Sequence, residues 1–473
     1  MPSRQDQLHS YQFSVQRVVA ALVMRETDPA QSPFRRVAGA TMAGAIVAAL
    51  ALAGAALYGV YAGGGGDWRK AGQVIIEKDS GARYVYYKGD QKLHPVINYT
   101  SALLLADAAR PTVVTWSRSA IDRAQLGAPM GIQGAPDSLP DQHHLARPPW
   151  TLCSQKASDA AGNTGAASPR SVLYVGGAVD GGQALAPARG GNSPDGLLVS
   201  TPDSRRYLVY DNHRYQLVQP ELVAKAFFWS AKPVLPVSPA LINVLPSGPD
   251  LRPPSIPGRG GKSPALPGAK VGQVYHLRNN GQAVRYAVAL ADGLAEITDA
   301  QAKLLLADPE TPKGPQGLDT ELPDYSSAVQ SHTGLSSAPP FTVAPEIRTA
   351  GSVCASIPDA KGVSKVLVDP RLPDQSGAAT TPTRTGSGVL LADQVVVAGR
   401  GALVTAVASP GDPSGALSII SDLGVRYPLG SRDVLAKFGY DGVTPAAMPA
   451  ELVALLPVGP ALDPEDAQQA AGS

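Results

Sequence analysis

The chain has 473 residues, 40 basic against 39 acidic, and a formal charge of +1, a balance that creates no field for nucleic acid or an acidic polymer. With 49 Gly and 44 Pro yet 44% apolar residues, it is made of many short elements joined by turns, and most of it can pack rather than stay disordered. By length alone about three domains of ordinary size are expected.

Near the amino end, Leu8, Tyr11, Val15, Val18, Val19, Leu22 and Val23 recur at helical spacing, with Arg17 and several Gln on other faces. This predicts an amphipathic helix in a cytoplasmic leader, residues 1–36. Isolated from any soluble core, its stripe needs either the inner leaflet or a partner protein. From Val37 to Gly66 no residue is charged. A helix over 37–61 spans ~37 Å at about 1.5 Å per residue, enough for the ~30 Å hydrocarbon core of a bilayer. A cleaved secretory signal carries an apolar region of only about 7 to 15 residues behind a short leader, so an uncleaved transmembrane helix is predicted. Arg35 and Arg36 before it, and Tyr58, Tyr61 and Trp68 after it, place the amino terminus in the cytoplasm, although Arg69 and Lys70 follow closely. Small residues at every fourth position, Ala40, Gly44 and Ala48, then Ala51, Ala55 and Gly59, either admit a close neighbouring helix or reflect an Ala-rich composition.

Beyond the span the chain contains itself twice. Gly72, Gln73 and Val74 recur as Gly272, Gln273 and Val274, Arg83 and Tyr84 as Arg285 and Tyr286, and LLLAD at 103–107 recurs at 304–308. Farther on, Leu245, Pro246, Gly248, Pro249 and Leu251 match Leu456, Pro457, Gly459, Pro460 and Leu462. Within each copy, a strand, a polar turn, a second strand and a helix also occur twice: 84–106 and 207–228, then 285–307 and 417–438. Ser, Asp or Pro ahead of each helical run fits a helix start. The expected order is repeat unit 1 (72–110), a first part of a central subdomain (111–175), repeat unit 2 (176–252) and a linker (253–271). Repeat unit 3 (272–308), the second central part (309–370), repeat unit 4 (371–462) and a tail (463–473) follow. Seven prolines between Pro246 and Pro267 predict that the linker is extended and poorly packed.

Cys153 and Cys354 are the two cysteines, and neither has a CxxC partner, which leaves a disulfide or two unrelated buried thiols. The repeat offset carries one onto the other. Equivalent positions that meet lie near the pseudo-two-fold axis relating the copies, so a Cys153–Cys354 bond in a central β subdomain is predicted. Such a bond persists on an oxidising side of the membrane. The fold class expected is therefore α+β: one transmembrane helix, then an elongated, duplicated periplasmic domain with four hairpin–helix units around a disulfide-linked centre.

Catalysis needs converging acids, bases or nucleophiles, and candidates are few. His143 and His144 lie near Asp141, but neighbours on an extended segment point oppositely, so a solvated loop is expected rather than a metal site. GRGGKS at 258–263 lacks the first Gly of a phosphate-binding loop, Ile256 standing there, and Pro257 and Pro264 flank it inside the linker. No catalytic residue, cofactor or metal is expected, and the chain is read as no enzyme.

The leader QLHSYQFSVQRVVAALVMRETDP (7–29), SPFRR (32–36) before the single span, the GxQVI-type opening at 72, the four units and the cysteine pair together resemble the EccB family of type VII (ESX) secretion systems of mycobacteria. The resemblance covers nearly the whole chain. It implies a core subunit of an inner-membrane complex with EccC, EccD and EccE, with a periplasmic domain that self-associates into dimers and hexamers. It also implies units similar to a cell-wall-binding module, so a membrane-tethered binder of cell wall is the alternative, and a periplasmic ATPase a third.

Overall fold

The structure is a computed structural model, and it describes residues 3–24, 33–62, 67–156, 168–187, 193–279, 282–312, 318–335, 339–373, 379–380 and 388–470. Residues 25–32 of the expected leader, the glycines 63–66 and residues 471–473 of the tail lie outside the described residues, as do the side chains of Arg35, Arg36, Tyr58 and Tyr61. The chain divides into two compact units, residues 1–95 with 112–128, and residues 96–111 with 129–473.

In the first unit, α1 (Arg4–Met24) carries the leader stripe, and Leu8, Tyr11, Val18 and Leu22 on it are more than half exposed. α2 (Pro33–Ala62) opens with Pro33, where a missing N–H removes no helical bond. Its stretch Val37–Ala56 carries no charged residue, is 0% buried, and turns its one hydroxyl, Thr41, back onto the Val37 and Ala38 carbonyls. Twenty residues at about 1.5 Å each match the ~30 Å hydrocarbon core, and an uncharged helix of this length with no protein covering it suits lipid. β1 (Gln73–Glu77), β2 (Arg83–Tyr87) and β3 (Lys92–Val96) precede α3 (Tyr99–Leu105), which belongs to the second unit. β4 (Thr112–Trp116) and α4 (Arg118–Ile121) return to the first. The sheet order is β3-β2-β1-β4, with β2 antiparallel and β4 parallel to β1. Ile75, Tyr84, Leu93, Trp116 and Ile121 form its core. Trp68, expected in an aromatic belt at the membrane surface, packs on this core, with Tyr86 edge-on at 5.8 Å and the Arg69 guanidinium 4.2 Å over its ring. Its indole has an apolar protein surface to cover.

The second unit continues with β5 (Trp150–Gln155), β6 (Arg170–Val175) and β7 (Gln183–Ala184). β8 (Asp195–Ser200), β9 (Arg206–Tyr210), β10 (His213–Gln216), α5 (Pro220–Ala226), β11 (Leu235–Pro236) and α6 (Pro239–Val244) follow. Then come β12 (Val274–Asn279), β13 (Gln282–Leu290), β14 (Gly293–Ile297), α7 (Asp299–Ala307), β15 (Leu318–Glu321) and α8 (Leu322–Ser327). β16 (Glu346–Ile347), β17 (Ser352–Ile357), β18 (Lys365–Val368), β19 (Ala379–Thr380) and β20 (Gln394–Val397) lead into β21 (Gly401–Val407), β22 (Ala416–Ser421) and β23 (Arg426–Pro428). α9 (Val434–Lys437), β24 (Ala446–Pro449), α10 (Ala450–Val453) and α11 (Pro464–Ala467) end the chain.

Three sheets here, β10-β9-β8-β11, β14-β13-β12-β15 and β23-β22-β21-β24, have the strand order of the first. In each the strands of the meander are antiparallel, and a helix carries the chain back to a fourth strand parallel to the first. A parallel strand needs such a crossover, whereas the hairpins need only a turn. Asp211 and Asn212 both take positive φ, 47° and 59°, the two-residue turn that matches strand twist. Helix starts are fixed by Asn98, which accepts from Ser101 N–H at 2.9 Å, and by a Thr298–Gln301 capping box.

A fifth segment closes each third strand. Leu93 N–H donates to Gln125 O at 2.9 Å and Gly127 N–H to Leu93 O at 3.0 Å; Arg214 N–H donates to Pro246 O at 2.9 Å and Gly248 N–H to Arg214 O at 2.8 Å. The same pair of bonds joins Leu294 to Val329 and Ser331, at 2.7 and 2.9 Å, and Arg426 to Pro457 and Gly459, at 2.8 and 2.9 Å. The next residue on each third strand is His94, Tyr215, Ala295 or Tyr427. A Cβ added at Gly127, Gly248 or Gly459 collides with the ring of His94, Tyr215 or Tyr427 respectively. Where the partner is the small Ala295, the closing residue is Ser331.

The fifth sheet runs β19-β20-β6-β5-β17-β18-β7. Trp150, Leu152, Ala355 and Ile357 share one core with Leu241 and Ile242 of α6 and Leu452 and Val453 of α10, while Cys153, Val172, Tyr174 and Cys354 form a cluster of their own, as the period of two along a strand dictates. β7, β19 and β20 come from beyond residues 175 and 370, so this sheet is wider than the central segments expected from sequence.

The stretch 253–271 is not the extended, poorly packed linker that its prolines predicted. Ile256, Ala265, Ala269 and Val271 are buried, Ser263 Oγ donates to Leu290 O at 2.6 Å, and Gly260 N–H to Val271 O at 2.9 Å. The apolar residues interleaved with the prolines give it a side to bury, and its backbone pairs with itself.

Candidate functional site

β5 and β17 are antiparallel, and their register places Cys153 opposite Cys354, Leu152 opposite Ala355 and Ser154 opposite Val353. The two cysteines are disulfide-bonded, with Cα atoms 4.0 Å apart, and both residues are 0% exposed. β6 flanks β5 and β18 flanks β17, so the arrangement reads alike outward from the bond for one strand on each side. It then diverges: β20 is parallel to β6, whereas β7 is antiparallel to β18.

Two helix contacts accompany this centre. α5 packs on α7, and α3 packs on α9 and α11. At the first contact Phe227, Trp229 and Phe341 stack with centroids 4.8 to 6.3 Å apart, and Tyr210 meets Phe341 edge-on at 5.8 Å. At the second, Tyr440 Oη donates to Pro140 O, Lys437 Nζ donates to Ala106 O, and Arg110 pairs with Asp441. Burial, with Asp141 adding to it, pushes the Tyr440 hydroxyl well above its ordinary range. Burial lowers the Lys437 amine, against the opposing pull of Asp107.

Both α5 and α9 end in the same way. Trp229 N–H reaches back to Ala224 O at 2.7 Å and Tyr440 N–H to Leu435 O at 2.9 Å, with a left-handed residue just before each. In α9 that residue is Gly439 (φ 79°), but in α5 it is Phe228 (φ 60°), whose side chain is 82% exposed. A side chain with a Cβ pays about 1 to 2 kcal/mol in this conformation. Phe228→Gly is therefore expected to raise stability by about 1 kcal/mol, read as a higher denaturant midpoint at unchanged slope; a fall of the midpoint contradicts the strain.

His143 and His144 sit on a 3₁₀ turn (Gln142–His144) rather than on an extended segment. Asp141 caps the turn, accepting from His143 N–H at 2.6 Å and pairing with His144 Nδ1, and these bonds lower its carboxyl below the usual range. Both histidines are exposed, and among the described residues no group of three metal-binding side chains is present. In GRGGKS, Gly260 and Ser263 N–H donate to Val271 O and Ala269 O, and Gly261 N–H donates to Gly258 O, so three amides of the stretch are already spent on the backbone. Arg259 pairs with Asp308 at 2.6 Å.

Sequence reasoning missed the fourth strands and the closing segments. The signal for the latter was in view as LPSGPDL and LPVGPAL, whose Gly answers a Tyr on the strand beside it.

Comparison with known proteins follows this architecture. The ESX-3 secretion system ATPase EccB3 of Mycolicibacterium smegmatis (strain ATCC 700084 / mc(2)155) is 27% identical over 494 residues, covering 98% of this chain and 89% of the relative. Among solved structures, a chain of an intact ESX-5 inner membrane complex shares the fold at TM-score 0.64 and 22% identity, covering 100% of this chain and 96% of that one. The EccB3 dimer from the ESX-3 core complex shares it at TM-score 0.62 and 24% identity, covering 84% and 100%. The family profile described as type VII secretion system ESX-1, transport TM domain B, matches residues 1–473, and the chain belongs to this EccB family.

Proposed function

We propose that the chain is a structural core subunit of a type VII secretion membrane complex, anchored in the inner membrane by α2 and building the periplasmic part by contact between its own copies. Four related sheet-and-helix units and a central disulfide-linked β subdomain form the outer region; the strand order common to four sheets and the closing bonds common to their third strands support this reading. The observation that carries the proposal is one uncovered apolar helix leading into a body closed by a disulfide. A bond of that kind persists outside the reducing cytoplasm, which supports reading the amino terminus as inside and the disulfide-bonded region as outside. The solved relatives are described as parts of an inner membrane complex and as a dimer, in keeping with self-association and with EccC, EccD and EccE type partners.

Mild detergent solubilisation tests it: the tagged chain is expected to bring down the other membrane subunits and to migrate as a dimer or larger species. A monomer that leaves them behind counts against the proposal. The relative carries the name ATPase, but in GRGGKS the Gly260, Gly261 and Ser263 amides are bonded to the backbone, and Lys262→Ala is expected to leave any hydrolysis by the purified chain unchanged; a tenfold loss overturns that expectation.

A further inference from the structure

The ring that stands over the closing glycine is a tyrosine in two sheets, Tyr215 over Gly248 and Tyr427 over Gly459, and a histidine in the first, His94 over Gly127. The surroundings match closely: Tyr87 meets His94 edge-on at 6.0 Å, and Tyr210 meets Tyr215 at 6.2 Å. A phenol therefore fills this place as well as an imidazole does. What distinguishes His94 is its two nitrogens.

His94 is 5% exposed. Its Nδ1 lies 2.7 Å from Ala128 O on the closing segment, and its Nε2 lies 2.9 and 3.0 Å from the two carboxylate oxygens of Asp90 on the turn before β3. The bond from His94, joined by Lys92 N–H at 3.2 Å and opposed by burial, holds the Asp90 carboxyl below its ordinary range, so it is ionised wherever histidine titrates. A carbonyl and a carboxylate accept only, so each ring nitrogen must donate, and an imidazole that donates at both is a cation. On the hairpin the ionisable neighbours are Asp90, Tyr87 and Lys92, the last through Asp90. The closing residues 125–128, QLGA, bring none.

We propose that the first sheet carries a proton-operated clasp, in which His94, as an imidazolium bonded at once to Asp90 and to Ala128 O, holds residues 125–128 to the β2–β3 hairpin and releases them when it loses a proton. The charge-assisted bond to Asp90 is the stronger and retains the remaining proton. Two lone pairs, on Nδ1 and on Ala128 O, are then left facing each other in a buried place. Leu93 N–H to Gln125 O and Gly127 N–H to Leu93 O remain, so the segment opens more often while the sheet stays folded. The closed form binds a proton that the open form sheds, so closure is favoured at low pH and weakens as pH rises through about 5 to 8.

Hydrogen exchange on the full chain in detergent, read by mass spectrometry at about pH 5.5 and 8 and corrected for intrinsic exchange, tests it. Protection of residues 122–128 is expected to fall on the order of tenfold at the higher pH, while the segments at Gly248 and Gly459, under tyrosines, do not move. His94→Tyr is expected to make the first segment as indifferent to pH as those two, and Asp90→Asn to shift its release to lower pH. With isotope-labelled histidine, the signal that His94→Tyr removes is expected to be that of a doubly protonated ring at the lower pH. Unchanged protection in the parent, an equal fall in His94→Tyr or under the two tyrosines, an Asp90→Asn profile that coincides with the parent's, or a neutral ring at the lower pH each overturns the clasp.

Discussion

Cys153→Ala/Cys354→Ala is expected to destabilise the second unit by about 5 kcal/mol. The bond closes a loop of 201 residues, and in the chain-entropy account a loop of that length costs the unfolded ensemble about 5 kcal/mol of freedom. Whole domains are stable by only about 5 to 15 kcal/mol, so the double variant sits near the edge of folding. Denaturant unfolding of the parent and the variant measures it directly. The bond is sealed from solvent, so adding reductant to the folded parent is expected to act slowly, at the rate at which the centre opens. A midpoint that shifts by less than a quarter of the expected amount shows that the paired strands β5 and β17 hold the centre without help from sulfur.

Gly248→Ala and Gly459→Ala come next. In each case the new methyl stands inside the neighbouring tyrosine ring, Tyr215 or Tyr427, which is itself buried and held between strand and closing segment. Overpacking of this kind costs about 1 to 3 kcal/mol at each position, and the two lie in different sheets, so the losses are expected to add. The sheet with Ala295 and Ser331 shows what relieves the conflict: a small residue on the strand admits a side chain on the segment. Accordingly Tyr215→Ala combined with Gly248→Ser is expected to be no less stable than Tyr215→Ala alone, whereas Gly248→Ser in the parent is strongly destabilising. Equal penalties in both backgrounds defeat the pairing of ring and glycine.

What the residues disclosed beforehand follows from where the physics is local. An uncharged apolar run gave α2, alternation about Asp211 and Asn212 gave β9 and β10, and the repeat offset that carries Cys153 onto Cys354 pointed to the bond. The fourth strands escaped notice because their pairing is settled by a crossover and not by their own pattern; β11 is only Leu235–Pro236 and β24 reads AAMP. The prolines of 253–271 read as a spacer because composition says nothing of Ile256 and Val271 finding a core. The packing of Trp68 was not legible because the sheet beneath its ring is not visible in sequence, whereas its proximity to the span is. Phe228 gave no signal at all, since its significance lies in a backbone angle and in comparison with Gly439.

The strand order of the widest sheet also fixes a sequence of events during biosynthesis. β6 is flanked on its outer side by β20, β5 by β17, and β7 by β18, so every strand that the earlier half contributes waits for a neighbour from the later half. As the polypeptide emerges from its amino end, Cys153 therefore has no cysteine partner, and β5 no β17 beside it, until 201 further residues have been delivered. A fragment ending before β17 therefore lacks both the second cysteine and the strand that pairs with β5.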